Sequence, residues 1–224
     1  MNMYRLNPLP TQIDRVRLEL LLQAEPATIG HFHNIGFMDF GIRAMFAVPR
    51  IAGTAVTARY PGMDGAMAHH AVSQARSGDV LILDRCGDHR HATVGGALAY
   101  AAREAEIAGI VVDGVVTDLD ELKRYGVPVW ARGSSTVTVK SLGIAGDFCV
   151  PVSCGGVAVC PGDAILADEN GVLVLSQDQI EACATRAIAM QNAEKQTLER
   201  LSRGEKYADI LGSTAIIEAN LDQI

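Results

Sequence analysis

The 224-residue sequence has no apolar run of the roughly 18 residues that a membrane-spanning helix needs. Residues 1–8 contain no apolar core of the kind found in a secretory signal peptide. The five cysteines are odd in number and form no Cys-x-x-Cys pair, which is typical of reduced thiols. These absences predict a cytoplasmic protein without a membrane partner.

Positive charge is also scarce. The chain carries 19 lysines and arginines against 26 aspartates and glutamates, and its formal net charge is −7 at pH 7. Nucleic acids and anionic membrane surfaces repel an acidic protein, so neither is expected as the main partner. A basic protein partner is compatible with this charge.

The composition predicts a soluble globular domain. Hydrophobic residues make up 49% of the chain and charged residues 20%, which is typical of a protein with a large core. No linker, repeat or low-complexity block interrupts the sequence. We therefore predict a single domain over residues 1–224, with a core at about 27–176, an N-terminal helix and a C-terminal helical extension.

Strand and helix patterns alternate through the middle of the chain. This alternation predicts βαβ units with a parallel sheet, and hence an α/β fold. Ahead of it, we expect one helix over 12–24 and a second that Thr28 caps and that runs to about Asn34. The predicted strands are 53–59, 80–84, 110–112 and 127–131, and the predicted helices are 63–77, 95–108 and 119–125.

The pattern changes after residue 148. Short apolar pieces broken by glycine continue to residue 175, which predicts a β-rich layer packed beside the α/β part. Asn170-Gly171 is a strong hairpin signal within it. A long polar helix is expected over 177–203, ending at Gly204, and the tail 205–224 has some helical character.

The first candidate site is Gly95-Gly96-Ala97-Leu98, where two glycines precede an alanine-rich helix. Free backbone amides at a helix start, together with the helix dipole, can hold a carboxylate or phosphate. Alternatively, the glycines serve only to let the helix pack closely on the sheet.

The second candidate is Thr117-Asp118, which follows a buried strand. A carboxylate at a strand end suits Mg²⁺, which often takes only one or two protein carboxylates and keeps its waters. Helix capping by Thr117 or Asp118 is the alternative, and both roles can hold at once.

The third candidate is the charged segment 84–91, which follows another core strand. Arg85 and Arg90 could bind an acidic substrate, and His89 or His91 could transfer protons near neutral pH. An ordinary charged loop is an equal alternative. Zinc is not expected at His31, His33, His69 or His70, because no standard ligand spacing is completed. No histidine partner can be named for a nucleophilic role of Cys154 or Cys160.

Taken together, these motifs resemble the RraA-like family over roughly residues 27 to 176. That family contains class II 4-hydroxy-4-methyl-2-oxoglutarate / 4-carboxy-4-hydroxy-2-oxoadipate aldolases and the regulator of ribonuclease E activity. The motifs that carry the resemblance are Gly53-Thr54-Ala55-Val56-Thr57, Gly78-Asp79-Val80-Leu81, Gly95-x-x-Leu98, Gly109-Ile110-Val111-Val112-Asp113-Gly114-x-x-x-Asp118, Val127-Pro128-Val129-Trp130 and Pro161-Gly162-Asp163-x-x-x-Ala167-Asp168.

The resemblance implies a β/α/β sandwich of the swivelling type, assembled into homotrimers or homohexamers with a site between neighbouring subunits. It implies Asp118 as the protein ligand of Mg²⁺ or Mn²⁺. It also implies that the backbone amides of Gly95, Gly96, Ala97 and Leu98 hold the carboxylate of a pyruvate-like group. The metal would then bind a 2-oxo acid and stabilise the enolate formed on C–C cleavage.

Two positions depart from the aldolase pattern. Thr117 stands where the aldolases carry an arginine, and a threonine hydroxyl cannot replace a bidentate Arg–carboxylate contact. Gly96 stands where they often carry an acidic residue that holds a water. We hypothesise that Arg85, Arg90 or His91 supplies the missing positive charge.

These observations favour a divalent-metal-dependent lyase that acts on a small 2-oxo or hydroxy acid. Retro-aldol cleavage and decarboxylation of an oxaloacetate-like acid are the reactions expected. One alternative is a non-catalytic regulator that binds a protein partner. Another is a metal-dependent enzyme with different sugar-acid chemistry, in which Thr117 reflects a change of specificity.

Overall fold

The computed structural model describes residues 3–221, so the ends of the predicted domain and the last three residues of the predicted tail lie outside it. The fold is mixed α/β, as predicted. Its strands are β1 Tyr4–Leu6, β2 Arg43–Ala44, β3 Ile51–Arg59, β4 Asp79–Asp84, β5 Gly109–Val116, β6 Val129–Ser134, β7 Gly146–Phe148, β8 Val152–Cys154, β9 Val157–Val159, β10 Ala164–Asp168 and β11 Gly171–Leu175. Its helices are α1 Arg15–Leu22, α2 Pro26–Ile29, α3 Ala66–Gln74, α4 Gly96–Glu104, α5 Leu119–Tyr125, α6 Ile180–Ser202, α7 Tyr207–Ile210 and α8 Ser213–Leu221.

Four parallel strands form the centre of the main sheet. β3, β4, β5 and β6 are hydrogen-bonded neighbours in that order, which confirms the predicted parallel sheet. β7 and β1 extend the sheet beyond β3, and β2 extends it beyond β6. Because parallel strands end at the same edge, the segments that follow β4, β5 and β6 lie along one edge of the sheet.

Helices α3, α4 and α5 cover one face of this sheet. Their buried side chains pack with alternate residues of β3, β4 and β5, as the period of two along a strand requires. The opposite face packs against β8 and β9 and against one face of β10 and β11. The outer face of β10 and β11 is covered by α1 and α6.

The prediction of a separate β-rich layer is only partly correct. β10 and β11 form the predicted hairpin, in which Asp168 pairs with Gly171. However, β10 also pairs antiparallel with the start of β3, so the hairpin continues the main sheet and folds over its face. β8 and β9 form a separate two-stranded sheet. Trp130 links β6 to β10, because its buried indole Nε1 donates to the Asp168 carbonyl oxygen at 2.8 Å.

The prediction of Thr28 as a helix cap is wrong. Helix α2 has Glu25 at its N-cap and Pro26 at its first position, so Thr28 lies inside it. Proline is favoured at this first position because its ring fixes φ and its missing amide hydrogen is not needed there. The helix ends at Ile29, well short of Asn34.

Other element bounds differ by a few residues from those predicted. β5 continues to Val116, four residues past the predicted end, and α4 stops at Glu104. Glu106, just beyond α4, has the left-handed φ of 54° and so cannot continue the helix. Within residues 3–221, none of the helices is long and apolar enough to cross a membrane.

Candidate functional site

The N-terminal ends of α4 and α5 meet at the edge of the sheet. Asp118 occupies the N-cap position of α5, but its side chain makes no capping bond to that helix. Instead, its Oδ2 accepts a hydrogen bond of 2.9 Å from the amide of Gly96, the first residue of α4. The carboxylate therefore bridges two helices, and the predicted capping of its own helix is wrong for the side chain.

The backbone of Asp118 is left-handed, with φ 55° and ψ 45°. Aspartate adopts this conformation at lower cost than most residues, and such backbones occur often at functional sites. Here the conformation turns the side chain from α5 back towards α4.

Thr117 fixes this junction from two sides. Its amide donates to the Val94 carbonyl oxygen at 2.9 Å, which ties the end of β5 to the segment that leads into α4. Its hydroxyl donates to Asp118 Oδ1 at 3.1 Å. Thr117 thus holds the carboxylate in place and brings no positive charge to the site.

An open cleft of about 480 Å³ lies in front of Asp118. Part of its wall comes from the segment after β6, whose residues were not among the predicted site residues. The available signal was that β6 is the neighbour of β5, so polar residues at its end face the same crevice. The lining residues are Thr117, Asp118, Leu119, Ser134, Ser135 and Thr136.

Fewer than the four predicted backbone amides are free to bind a substrate. The Gly96 amide already binds Asp118, and the first bond within α4 runs from Ala99 to the Gly95 carbonyl oxygen. The amides of Ala97 and Leu98 therefore have no acceptor one turn back in the helix. The Leu98 side chain is buried in the core, so this residue can contribute only its backbone.

The donor set at Asp118 suits a hydrated hard cation. The Asp118 side chain is exposed, and each of its oxygens accepts one hydrogen bond, which leaves lone pairs free for a cation. Across residues 3–221, there is no cluster of three or more His, Cys, Asp and Glu side chains that could enclose a metal. One carboxylate with several waters fits Mg²⁺ or Mn²⁺, whereas zinc requires more protein ligands.

Arg85 does not face this cleft. Its side chain is fully buried, and its guanidinium stacks on the Tyr60 ring at 4.4 Å. The guanidinium also donates to the carbonyl oxygens of Gly62 and Asp64. Arg85 therefore stabilises the segment between β3 and α3, and this placement argues against its predicted contact with substrate.

His91 is oriented by a carboxylate. Its Nδ1 lies 2.7 Å from Asp88 Oδ2, and both side chains are mostly buried. Burial raises the pKa of Asp88, but hydrogen bonds from the amides of Arg90 and His91 outweigh it and bring the pKa below its usual value. Because Asp88 binds Nδ1, Nε2 is the ring nitrogen of His91 that stays available for another contact. His91 lies in the segment that leads into α4.

The other side chains of the charged segment differ in their placement. His89 is exposed, with its Nε2 3.7 Å from Asp113 Oδ1, and Arg90 is exposed as well. All five cysteines are free, as predicted. Burial raises the pKa of Cys154 well above its usual value, which disfavours a nucleophilic thiolate there.

We predict that Gly95→Ala displaces the Asp118 carboxylate. The new Cβ would lie 2.5 Å from Asp118 Oδ2 and 2.9 Å from Thr117 Cγ2, although φ −131° is ordinary for alanine. The expected result is a loss of about tenfold or more in Mn²⁺ affinity, measured by titration, as for disturbed supporting groups of metal sites. Gly30→Ala is the matched control, because Gly30 has helical dihedral angles and lies in another part of the chain. Equal Mn²⁺ affinity in the Gly95→Ala and wild-type proteins would contradict the prediction.

Comparison with known families gives a match over the same region as the site. A family model described as RraA-like, Aldolase/RraA, matches residues 27–174. A 4-hydroxy-4-methyl-2-oxoglutarate aldolase of Thermus thermophilus is 36% identical over 141 residues, which are 63% of this chain and 82% of the relative. A protein of Halalkalibacterium halodurans is 35% identical over 151 residues, 67% of this chain and 71% of the relative.

Solved structures show the same fold. RraAS2 of Streptomyces coelicolor, described as an unusual member of the RNase ES inhibitor RraA family, superposes with a TM-score of 0.75 at 24% identity. That match covers 84% of this chain and 98% of the other. The RNA-processing inhibitor RraA of Thermus thermophilus has a TM-score of 0.62 at 31% identity, with 68% and 93% coverage.

Proposed function

Because the chain belongs to the RraA-like family, we propose that it is a divalent-metal-dependent lyase acting on a small 2-oxo or hydroxy acid. The observation that carries the proposal is the Asp118 carboxylate, exposed at a cleft and fixed to the start of α4. The aldolase name of a relative at 36% identity supports the same chemistry. The proposed reactions are retro-aldol cleavage and decarboxylation of an oxaloacetate-like acid.

The polar groups of the cleft and the amides at the start of α4 have separate proposed tasks. Asp118 would hold Mg²⁺ or Mn²⁺, which when bound supplies a Lewis acid for the 2-oxo group. The amides of Ala97 and Leu98, at the positive end of the α4 dipole, would bind the substrate carboxylate. Thr117 keeps Asp118 oriented, and the hydroxyl groups after β6 are available to the substrate's own hydroxyl or carboxyl groups.

The first test is release of pyruvate by the purified protein. We expect Mg²⁺- or Mn²⁺-dependent release from at least one compound in a panel of 4-hydroxy-2-oxo acids and oxaloacetate. Chelation of the metal should stop it. Free metal ions also decarboxylate oxaloacetate, so each rate is compared with a reaction that lacks the protein. Absence of protein-dependent pyruvate from the whole panel would refute the lyase proposal.

A non-catalytic regulator is the second candidate function. The cleft contains no lysine or arginine among its lining residues, so it lacks the charge with which an aldolase would bind an acidic substrate. One structural relative is itself named as an RNA-processing inhibitor. A stable, basic protein partner captured by a preparation that binds no metal would favour this function. Metal-dependent turnover of a sugar acid, without pyruvate release, would instead favour the different sugar-acid chemistry.

The proposed enzyme is a homotrimer or homohexamer. The C-terminal helices leave large apolar side chains exposed in the isolated chain, which is typical of surfaces that another subunit covers. These side chains are Leu198, Tyr207, Leu211, Ile216, Ile217 and Leu221. Light scattering of the purified protein is expected to give the mass of three or six chains, and the mass of one chain would contradict this assembly.

A further inference from the structure

Glu121 reaches across the start of α4. A Cβ atom built on Gly96 would overlap the Glu121 Oε2, and it would lie 2.7 Å from the carboxylate carbon. Gly96 thus has no side chain at the one point where the Glu121 carboxylate needs space. Any larger residue at position 96 would expel that carboxylate.

Asp118 and Glu121 place two carboxylates beside the same residue. They are three positions apart, with Asp118 at the N-cap of α5 and Glu121 in its first turn. Asp118 binds the Gly96 amide, and Glu121 lies where a Gly96 side chain would be. The two groups therefore reach the start of α4 from the same direction.

Hydrogen bonds and ion pairs do not account for the position of Glu121. Within the described part of the chain, its carboxylate makes neither a hydrogen bond nor an ion pair, so it does not cap the free amides of α4. Complementing the dipole of α5 requires only an acidic residue in the first turn. Asp120 meets that need from an exposed position. The carboxylate of the half-buried Glu121 thus lies at the positive end of α4 without a hydrogen-bond or ion-pair partner among the described residues.

We propose that Glu121 is the group that transfers protons during the lyase reaction, a role that rests on the proposed function. In a 4-hydroxy-2-oxo acid, its carboxylate accepts the proton of the C4 hydroxyl group. The O–H electron pair forms the new C=O bond, and the C3–C4 pair becomes the enolate of the product. Glu121 then delivers the same proton to C3, which restores its carboxylate and leaves no net change in protons or electrons.

This assignment is tested by hydrogen exchange into pyruvate. In D₂O with Mg²⁺, the wild-type protein is expected to exchange the methyl protons of pyruvate, followed by NMR, because enolate formation needs the same group. Glu121→Gln should slow the exchange by about 10²-fold or more, the usual effect of losing an acid–base group. Its Mn²⁺ affinity should equal that of the wild type. Asp120→Asn is the matched control, since it removes one charge from the same helical turn and should leave both values unchanged.

A relocated carboxylate makes the test specific to this position. Glu121→Ala should lose exchange, and adding Gly96→Asp should restore part of it, because the new carboxylate starts at the point that Glu121 occupies in the wild type. An exchange rate in the double variant as low as in Glu121→Ala would contradict the placement of the reacting group above Gly96.

Three further results would overturn the assignment. Wild-type exchange in Glu121→Gln removes Glu121 from the reaction and leaves the lyase proposal intact. A large loss of Mn²⁺ affinity in Glu121→Gln makes the residue a metal ligand instead. A wild-type protein that neither cleaves the panel nor exchanges pyruvate removes the lyase proposal, and the role of Glu121 with it.

Discussion

Asp118→Asn is expected to lower kcat/KM for pyruvate release by about 10³-fold or more, the size of effect that follows loss of a central charge-stabilising group. The asparagine side chain has no charge and only one oxygen, so it binds a hard cation weakly. Asparagine tolerates the left-handed backbone of position 118, so the fold should not change. Turnover at saturating Mg²⁺ and Mn²⁺ affinity by titration measure the two consequences.

The control for this variant is its neighbour. Asp120→Asn removes the same charge from the same end of α5, but Asp120 is exposed and does not line the cleft. We expect it to keep the Mn²⁺ affinity and the turnover of the wild type. If Asp118→Asn also keeps both, the metal site is not at Asp118.

Arg85→Met is expected to reduce the free energy of unfolding by about 3 kcal/mol, because the stacking on Tyr60 and the hydrogen bonds to the carbonyl oxygens of Gly62 and Asp64 are lost. Methionine fills much of the volume of the arginine side chain, so the loss reports the guanidinium more than a cavity. Denaturant unfolding followed by fluorescence or circular dichroism measures the change.

The matched variant is Arg90→Met, five residues further along. Arg90 is exposed, and among residues 3–221 nothing accepts a hydrogen bond from its side chain, so its loss should change stability by less than about 0.5 kcal/mol. Unchanged stability of Arg85→Met with a raised KM would place the Arg85 guanidinium on the substrate, as the sequence alone had suggested.

The central sheet could be predicted because its strands and helices have distinct local patterns. The apolar runs of β4 and β5, each followed by a helical pattern, specify parallel strands that end at one edge. That edge brings Gly96 and Asp118 together although they are 22 positions apart. Sequence periodicity thus located the two main parts of the candidate site.

The pairing of β10 with β3 could not be predicted in the same way. Short apolar strands carry no signal that selects a partner, since any exposed strand edge offers the same backbone groups. The edge of β3 opposite β4, which β7 pairs only at Ala58 and Arg59, became the partner here. For this reason, the β-rich segment was expected as a separate layer.

The directions of individual side chains could not be predicted from the sequence either. Arg85 follows β4 among charged neighbours, and nothing in that pattern shows that it turns inward onto Tyr60. Glu121 looked like an ordinary acidic residue in the first turn of a helix. Only the space above Gly96 distinguishes it from Asp120.

The most direct test of the site is a crystal of the protein soaked with Mn²⁺ and pyruvate. The account predicts an anomalous peak for Mn²⁺ at bonding distance from an Asp118 carboxylate oxygen. It also predicts the pyruvate carboxylate on the amides of Ala97 and Leu98. A manganese peak at other residues, or no peak in the cleft at saturating Mn²⁺, would contradict it.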